Sequence, residues 1–391
     1  MTGHDSGSEK FVAEAEKLGH WLLQAAFPLW WQVGADRTGG GWYERIDFDG
    51  RPVVLPQRSR VAARQVFCYC EAGRLGWQGP WREAALHALL SLRDRFIRSD
   101  GTVIAALSRD ATPADESFDL YNQAFALLAY AYAHQTVDPG GGWKVRALAL
   151  IGTLERDYGH PQGGFYEDRG GKQPLRANPH MHLLEAALAW LRIDPAPAWR
   201  RSADAIATLC LDRFTDRESG ALRERFDAGW VPLPGLEGEI VEPGHHYEWA
   251  FLLDLWAKLT GRERPPAVAK LIAFADRYGV DRGRNVAVNA ITTDGRIHDA
   301  VARLWPQTER LRAYVIDNQG DGDARLQQAI ATLWHYLDAP LSGLWYENQA
   351  ANGRFVIEAA PATSLYHIVG AVVELWSAFG VDRGGSVQRD R

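Results

Sequence analysis

Residues 242–249 read EPGHHYEW. His245 and Glu248 stand three positions apart, so on a helix they share one face. Pro243 and Gly244 break the preceding chain and would let a helix start beside His245 and His246. A helix N-terminus disfavours an imidazolium, while a neighbouring carboxylate favours one and fixes a tautomer. The spacing predicts that Glu248 orients His245, which then titrates near neutrality and serves as a general acid or base. His246 points elsewhere and reads as a packing or bracing residue.

Polar residues recur at the starts of other apolar segments. They are Arg64 in RSRVAARQVF, Tyr121, Asn122 and Gln123 in FDLYNQAF, and Asn178, His180 and His182 in NPHMHLLEA. Trp305 and Glu309 in RLWPQTERL and His367 in ATSLYHIVG complete the set. If these segments are helices that begin at one face, the polar residues converge on a pocket. A buried histidine is often only a hydrogen-bonded core residue, and a buried Arg or Glu only a brace. The grouping of histidines at these starts favours a functional pocket, since elsewhere they are scattered, as at His87 and His335.

His180 and His182 are two residues apart and His245 and His246 adjacent, so neither pair shares a helix face. H-E-x-x-H and cysteine-pair spacings do not occur. A site built across helices from His182, His245 and His367 stays geometrically open, but no metal is predicted. The chain has no P-loop, and its Gly-rich stretches lack the strand-to-helix context of a dinucleotide fingerprint, so no cofactor is indicated.

The elements that must position these residues come from a loose repeat. LRDRF (92–96), LERDY (154–158), LDRF (211–214) and ADRY (275–278) close related helical segments. Gly-rich, aromatic or acidic turns follow, such as GGFYED at 163–168, with copies near both ends in GGGWYERIDFDG (39–50) and SGLWYENQAANG (342–353). Weaker copies follow residues 96 and 278. The period is about 60 residues, so about six copies fill the chain. Each copy has room for two helices. One set is apolar over most of its circumference, as EWAFLLDLWAKL is; the other, such as WREAALHALLSLRDRFI, is amphipathic. An all-α fold follows, an (α/α)6 barrel of six helix pairs with short β-hairpin turns. A flat solenoid of helical hairpins is the alternative, and the matching turns at both ends favour closure. No Pro/Ser-rich linker divides the chain, so one catalytic domain is expected over 9–382, with disordered tails at 1–8 and 383–391.

Composition narrows the function. The 391 residues carry a net charge of -6, which argues against a nucleic-acid partner. No stretch approaches the roughly 18 apolar residues of a membrane span, and the first ten residues do not read as a signal peptide. Cys68, Cys70 and Cys210 make no disulfide framework and read as buried thiols of a cytoplasmic protein.

ARQVF, DLYNQAF, NPHMHLLEA, EPGHHYEWAFLL, LWPQTERL and ATSLYHI, in that order, resemble the successive motifs of the N-acylglucosamine 2-epimerase superfamily, and within it most those of the bacterial D-mannose isomerases. The resemblance spans about residues 10 to 380 and implies the same (α/α)6 barrel. It implies that His245 and His367 are the two essential histidines, that Arg64 and His182 hold substrate, and that Glu248 accompanies His245. It places Tyr121, Asn178, Trp305 and Glu309 on the pocket wall. Disaccharide 2-epimerases carry a double aromatic before the Pro-Gln motif; here Trp305 follows Leu304.

The expected activity is interconversion of D-mannose and D-fructose through a cis-enediol, on a free monosaccharide, by a monomer or homodimer. A 2-epimerase acting on an aldose or N-acyl hexosamine is the alternative. A glycoside hydrolase would need two opposed carboxylates about 5 to 9.5 Å apart, for which Glu248 and Glu309 are candidates, but it would leave the histidines idle. A non-catalytic sugar-binding protein would not need the histidine pair.

Overall fold

The computed structural model describes residues 5–108, 112–317 and 322–379. Among the described residues, twelve of the longer helices alternate between two layers. The inner ones are α2 (Ser59–Arg74), α4 (Leu120–Tyr132), α6 (Ala177–Leu191), α8 (Pro243–Thr260), α10 (Leu304–Ile316) and α12 (Ala362–Phe379). The outer ones are α1 (Asp5–Trp21), α3 (Trp81–Ser91), α5 (Trp143–Asp157), α7 (Pro197–Leu209), α9 (Pro266–Phe274) and α11 (Gly322–Leu337).

Each inner helix packs on the next, and α12 packs back on α2, so the ring is closed. The outer helices pack against them from outside, with α1 bridging α11 and α12. This is the (α/α)6 barrel, not the flat solenoid. The sequence separates the layers by exposure. In α8, Pro243 through Asp254 are all buried, because that helix is enclosed on every side. Outer helices bury one stripe, as α7 does with Trp199, Ala203 and Ile206. Helix α1 opens at Asp5, inside the span expected to be a tail, whereas the expected tail at 383–391 lies outside the described residues.

Between outer and inner helix the chain turns through a short hairpin, and the hairpins are stitched around the ring. Gln57–Arg58, just before α2, pairs with Ala106–Leu107 of the next repeat. Leu175–Arg176 pairs with Arg225–Phe226, Ile240–Val241 with Ala290–Thr292, and Ala302–Arg303 with Asn348–Gln349. The last link joins the two ends of the chain, Ala360–Pro361 with Arg45–Ile46. The Asp-Arg phrases LRDRF and CLDRF and the segment ADRYG are π-helical turns that end outer helices just before a hairpin. Aromatic residues of the hairpins fill the space beneath them: Trp42 stacks on Tyr69 and Trp345 on Trp30.

A side-chain staple fixes each of four hairpins to the fourth residue of an inner helix. His180 bonds Arg176 O through Nδ1 at 2.8 Å, and its Nε2 accepts from Phe165 N at 2.9 Å. His246 repeats this with Glu242 O and Leu222 N. Gln123 and Gln307 do the same work with an amide, donating to the carbonyl four residues back and pairing with Val103 and Ala287. Both staple histidines are fully buried, and burial lowers each to about 4, so they are neutral links of the scaffold.

Candidate active site

The inner helices all begin at the hairpin face, so equivalent positions meet around one axis. The sixth residues are Arg64, Phe125, His182, Glu248, Glu309 and His367. The second and third residues stand one turn nearer the mouth and include Tyr121, Asn178, His245, Trp305, Thr363 and Ser364. All of these except Phe125 and Glu309 line a cavity of about 150 Å³, as do Glu242 and Arg303. Gly244 is needed for close approach: a Cβ there would lie 2.4 Å from the Trp305 ring.

The cavity gathers His245, His367, Glu248, Arg64, Tyr121, Asn178, His182 and Trp305 from the predicted set. It leaves out Glu309, which has no exposed surface and sits behind His367, its Oε1 2.8 Å from Nδ1. The other oxygen of Glu309 accepts from Arg312 at 2.8 Å. Glu309 is therefore a holder of His367, not a wall residue.

A second expectation is corrected at His245. Its Nδ1 lies 2.9 Å from Oε1 of Glu224, a hairpin residue, and not on Glu248. Glu248, one turn deeper, has Oε1 3.8 Å from His182 Nδ1 and without a hydrogen-bond partner. His182 Nδ1 is held by Glu185 at 3.1 Å, and Glu185 also accepts from the Tyr366 hydroxyl. Three imidazoles are thus each fixed through Nδ1 by a carboxylate, which leaves Nε2 for the cavity.

Their surroundings drive the two predicted essential histidines apart. Burial pushes His245 down, but the carboxylates of Glu224, Glu242 and Glu248 outweigh it and raise the group to about 10. It is an imidazolium at neutral pH rather than a group near its midpoint. His367 goes the other way. Burial, then the charges of Arg64 and Arg312 and the nearby His182, hold it well below the usual imidazole range. Glu248 is pushed well above the carboxylate range by burial and by Glu309 and Glu185.

Arg64 is buried with its guanidinium over Phe125 and Tyr366, at 4.2 and 4.9 Å. It donates to Tyr121 Oη at 2.6 Å and to Thr363 O at 3.2 Å. Arg64 Nε, Asn178 Oδ1 and Glu248 Oε1 are buried polar atoms of wall residues with no protein partner. Unpaired buried polar groups are costly, and a polyhydroxyl ligand would satisfy them. Among the described residues, His182, Glu185 and Glu248, and again Glu248, Glu309 and His367, bring ligand atoms within 4.8 Å of one another. Either triad could hold a cation, although an ion on Nδ1 would displace the bond from Glu185 or Glu309.

The profile of N-acylglucosamine 2-epimerase (GlcNAc 2-epimerase) matches residues 41–371. The chain belongs to this family. It is an enzyme of the sugar isomerase and epimerase class. Over 374 residues it is 44% identical to a protein of Rhizobium meliloti (strain 1021) named mannose-6-phosphate isomerase, covering 93% of this chain and 96% of that one. The crystal structure of a D-mannose isomerase superposes with a TM-score of 0.80 at 20% identity, covering 96% of this chain and 99% of the other. Cellobiose 2-epimerase from Bacillus thermoamylovorans B4167 superposes at 0.82 with 18% identity, covering 92% and 98%. At such identities the two structures speak for the family's fold alone. Among the described residues no helix is long and apolar enough to cross a membrane.

Sequence reasoning missed Glu224, Glu185, Glu242, Arg303, Thr363 and Ser364. Glu224 had a signal. It holds the repeat position of the glutamates in WYER, FYED and WYEN, which mark Glu44, Glu167 and Glu347.

Proposed function

We propose that this enzyme interconverts D-mannose and D-fructose as a single catalytic domain over residues 9–382, opening the ring of the free monosaccharide and isomerising the open chain in the cytoplasm without a cofactor. The observation that carries the reading is the opposite charge state of two histidines on one small cavity. Environments that push two titratable groups apart assign the acid and the base. His367, neutral and fixed by Glu309, is the base that takes the C2 proton of the aldose and returns it to C1. One imidazole on one face of a cis-enediol suffices for that transfer. His245, held charged by Glu224, is the acid that serves the sugar oxygens. Arg64 and the convergent helix N-termini stabilise negative charge on the enediolate. Trp305 lies against both imidazoles, with ring centroids 5.0 and 5.8 Å away, and offers its face to sugar C–H groups. His182 and Asn178 hold hydroxyls.

The Rhizobium meliloti relative carries a 6-phosphate in its name, and Arg303 stands on the cavity wall with its side chain 45% exposed, so both sugars belong in the test. Epimerisation at C2 is the second reading. It is favoured by the two histidines flanking Trp305, from which protons could reach both faces of C2. Proton NMR of the enzyme with D-mannose or D-mannose 6-phosphate in D2O, with and without chelator, separates these outcomes. The ketose with deuterium at C1, or recovered aldose with deuterium at C2, and no effect of chelator, is expected. Glucose without the ketose would move the assignment to 2-epimerisation.

A further inference from the structure

Four hairpins place a glutamate at one repeat position, each directly after a residue whose N–H bonds back to the end of the outer helix. These are Glu44, Glu167, Glu224 and Glu347, following Tyr43, Tyr166, Arg223 and Tyr346. Three of them accept from a backbone N–H and from a side chain. Glu44 accepts from Arg58 N and Nε, both at 2.7 Å. Glu167 accepts from Arg176 N at 3.2 Å and from its guanidinium. Glu224 accepts from Glu242 N at 3.4 Å and from His245 at 2.9 Å. In each case the backbone donor is the residue just before an inner helix.

The residue before α12 is Pro361, which has no N–H to give. Glu347 therefore lacks the backbone donor that its three counterparts share. The nearest guanidinium, Arg303, stays at 3.7 Å, beyond hydrogen-bond distance. What holds the Glu347 carboxylate is Ser364 Oγ, at 2.7 Å. Ser364 is the third residue of α12, the position that His245 occupies in α8, and it lines the same cavity. The pair is a repeat-related copy of the His245–Glu224 pair, with a hydroxyl in place of the imidazole.

We propose that Ser364 and Glu347 form a proton relay to a sugar hydroxyl, a second acid–base pair beside the histidines; this rests on the sugar-isomerase reading of the cavity. Ser364 touches the substrate and Glu347 acts through it. In ring opening, the anomeric O1–H passes its proton to Ser364 Oγ while the serine proton passes to Glu347. The O1 electron pair forms the C1 carbonyl, the C1–O5 bond breaks onto O5, and the His245 imidazolium protonates O5. Ring closure runs the same transfers backwards. The groups facing Glu347 fit such two-way traffic. Burial raises it to about 7, reinforced by Glu358 and opposed by Arg303, Ser364 and Arg45. A group titrating near working pH exchanges protons in both directions.

The test reads ring opening apart from carbon-proton transfer. Anomer exchange of D-mannopyranose is followed by exchange NMR, and product formation by proton NMR, for wild type, Ser364→Ala, Ser364→Thr and Glu347→Gln. Both readouts should fall about a hundredfold in Ser364→Ala and Glu347→Gln, the general acid–base range, and Ser364→Thr should stay within a few-fold. The wild-type limb near pH 7 should vanish in Glu347→Gln. Anomer exchange unchanged in Ser364→Ala, or that limb persisting in Glu347→Gln, would overturn the relay. Wild-type anomer exchange without fructose, lost in Ser364→Ala, would overturn the isomerase reading and leave the relay standing.

Discussion

Replacing Glu224 by Gln tests the charge assignment of His245. The amide keeps an acceptor for Nδ1–H and removes only the charge. Glu224 Oε1 lies 2.9 Å from Nδ1. At an effective dielectric near 20 that contact amounts to roughly 4 to 6 kcal/mol of attraction, or about three to four pH units at 1.36 kcal/mol each. His245, raised to about 10 in the native protein, should then titrate at about 6 to 7. The imidazolium fraction at pH 8 falls to about 1–10%, so turnover there should drop ten- to a hundredfold and largely recover at pH 6. The alkaline limb of kcat/KM against pH should move from near 10 to near 7. NMR of 13C-labelled histidine reads the same shift without substrate. The sign holds for stability too. Because the folded value lies above the unfolded one, the pairing stabilises fully below about pH 6.5 and is lost as pH rises through about 10. The Gln variant should therefore melt lower at pH 7 and match wild type above pH 10. An alkaline limb that stays above pH 9 in the variant would refute the assignment.

His367→Ala should cut fructose formation by about 10³-fold, within the range of a lost general base, in a protein that still folds but melts lower, because Glu309 Oε1 loses its partner; a loss of only a few-fold would remove His367 from the proton path. His246→Ala should cost about 1–3 kcal/mol for Leu222 N, which is left unpaired; Glu242 O keeps its bonds from His245 N and residue 246 N. His246→Gln should be tolerated, because Gln123 and Gln307 make the same staple; equal melting temperatures for the two His246 variants would sink this account. Glu309→Gln should destabilise by about 3–5 kcal/mol, the cost of breaking a buried ion pair, here that with Arg312, and Glu309→Ala should in addition slow turnover by freeing the His367 ring. Unchanged thermal and denaturant midpoints would contradict that double role.

The barrel was legible because its repeat is written twice, once in the π-turn phrases and once in the Gly-aromatic hairpins. The wall of the cavity was legible because the sixth residue of an inner helix follows its start by a fixed count. What stayed hidden was the layer behind the wall. Helical spacing links His245 to Glu248, but the carboxylate that reaches His245 is 21 residues earlier, in a hairpin. His367 is held by Glu309, 58 residues away on the neighbouring helix. Periodicity finds partners along one element and is blind to partners brought in by ring closure. Glu309 shows the same limit: it occupies the wall position of α10 but has turned its carboxylate to His367 and Arg312.

Function in this ring comes from small departures from its own symmetry. The fourth helix position stays structural, as histidine in two repeats and glutamine in two others. The third position is where repeats diverge: His245 in α8 and Ser364 in α12 reach the cavity, while α6 and α10 carry Pro179 and Pro306 there. The hairpin glutamate diverges with it. Where an N–H and a cation are available it is spent on scaffolding, at Glu44 and Glu167. Where a histidine meets it, at Glu224, it sets a charge state. Where Pro361 withholds the N–H, Glu347 is left to titrate. One repeated carboxylate thus yields a brace, a charge setter and a proton acceptor, and the residue before each inner helix, together with the third residue inside it, decides which.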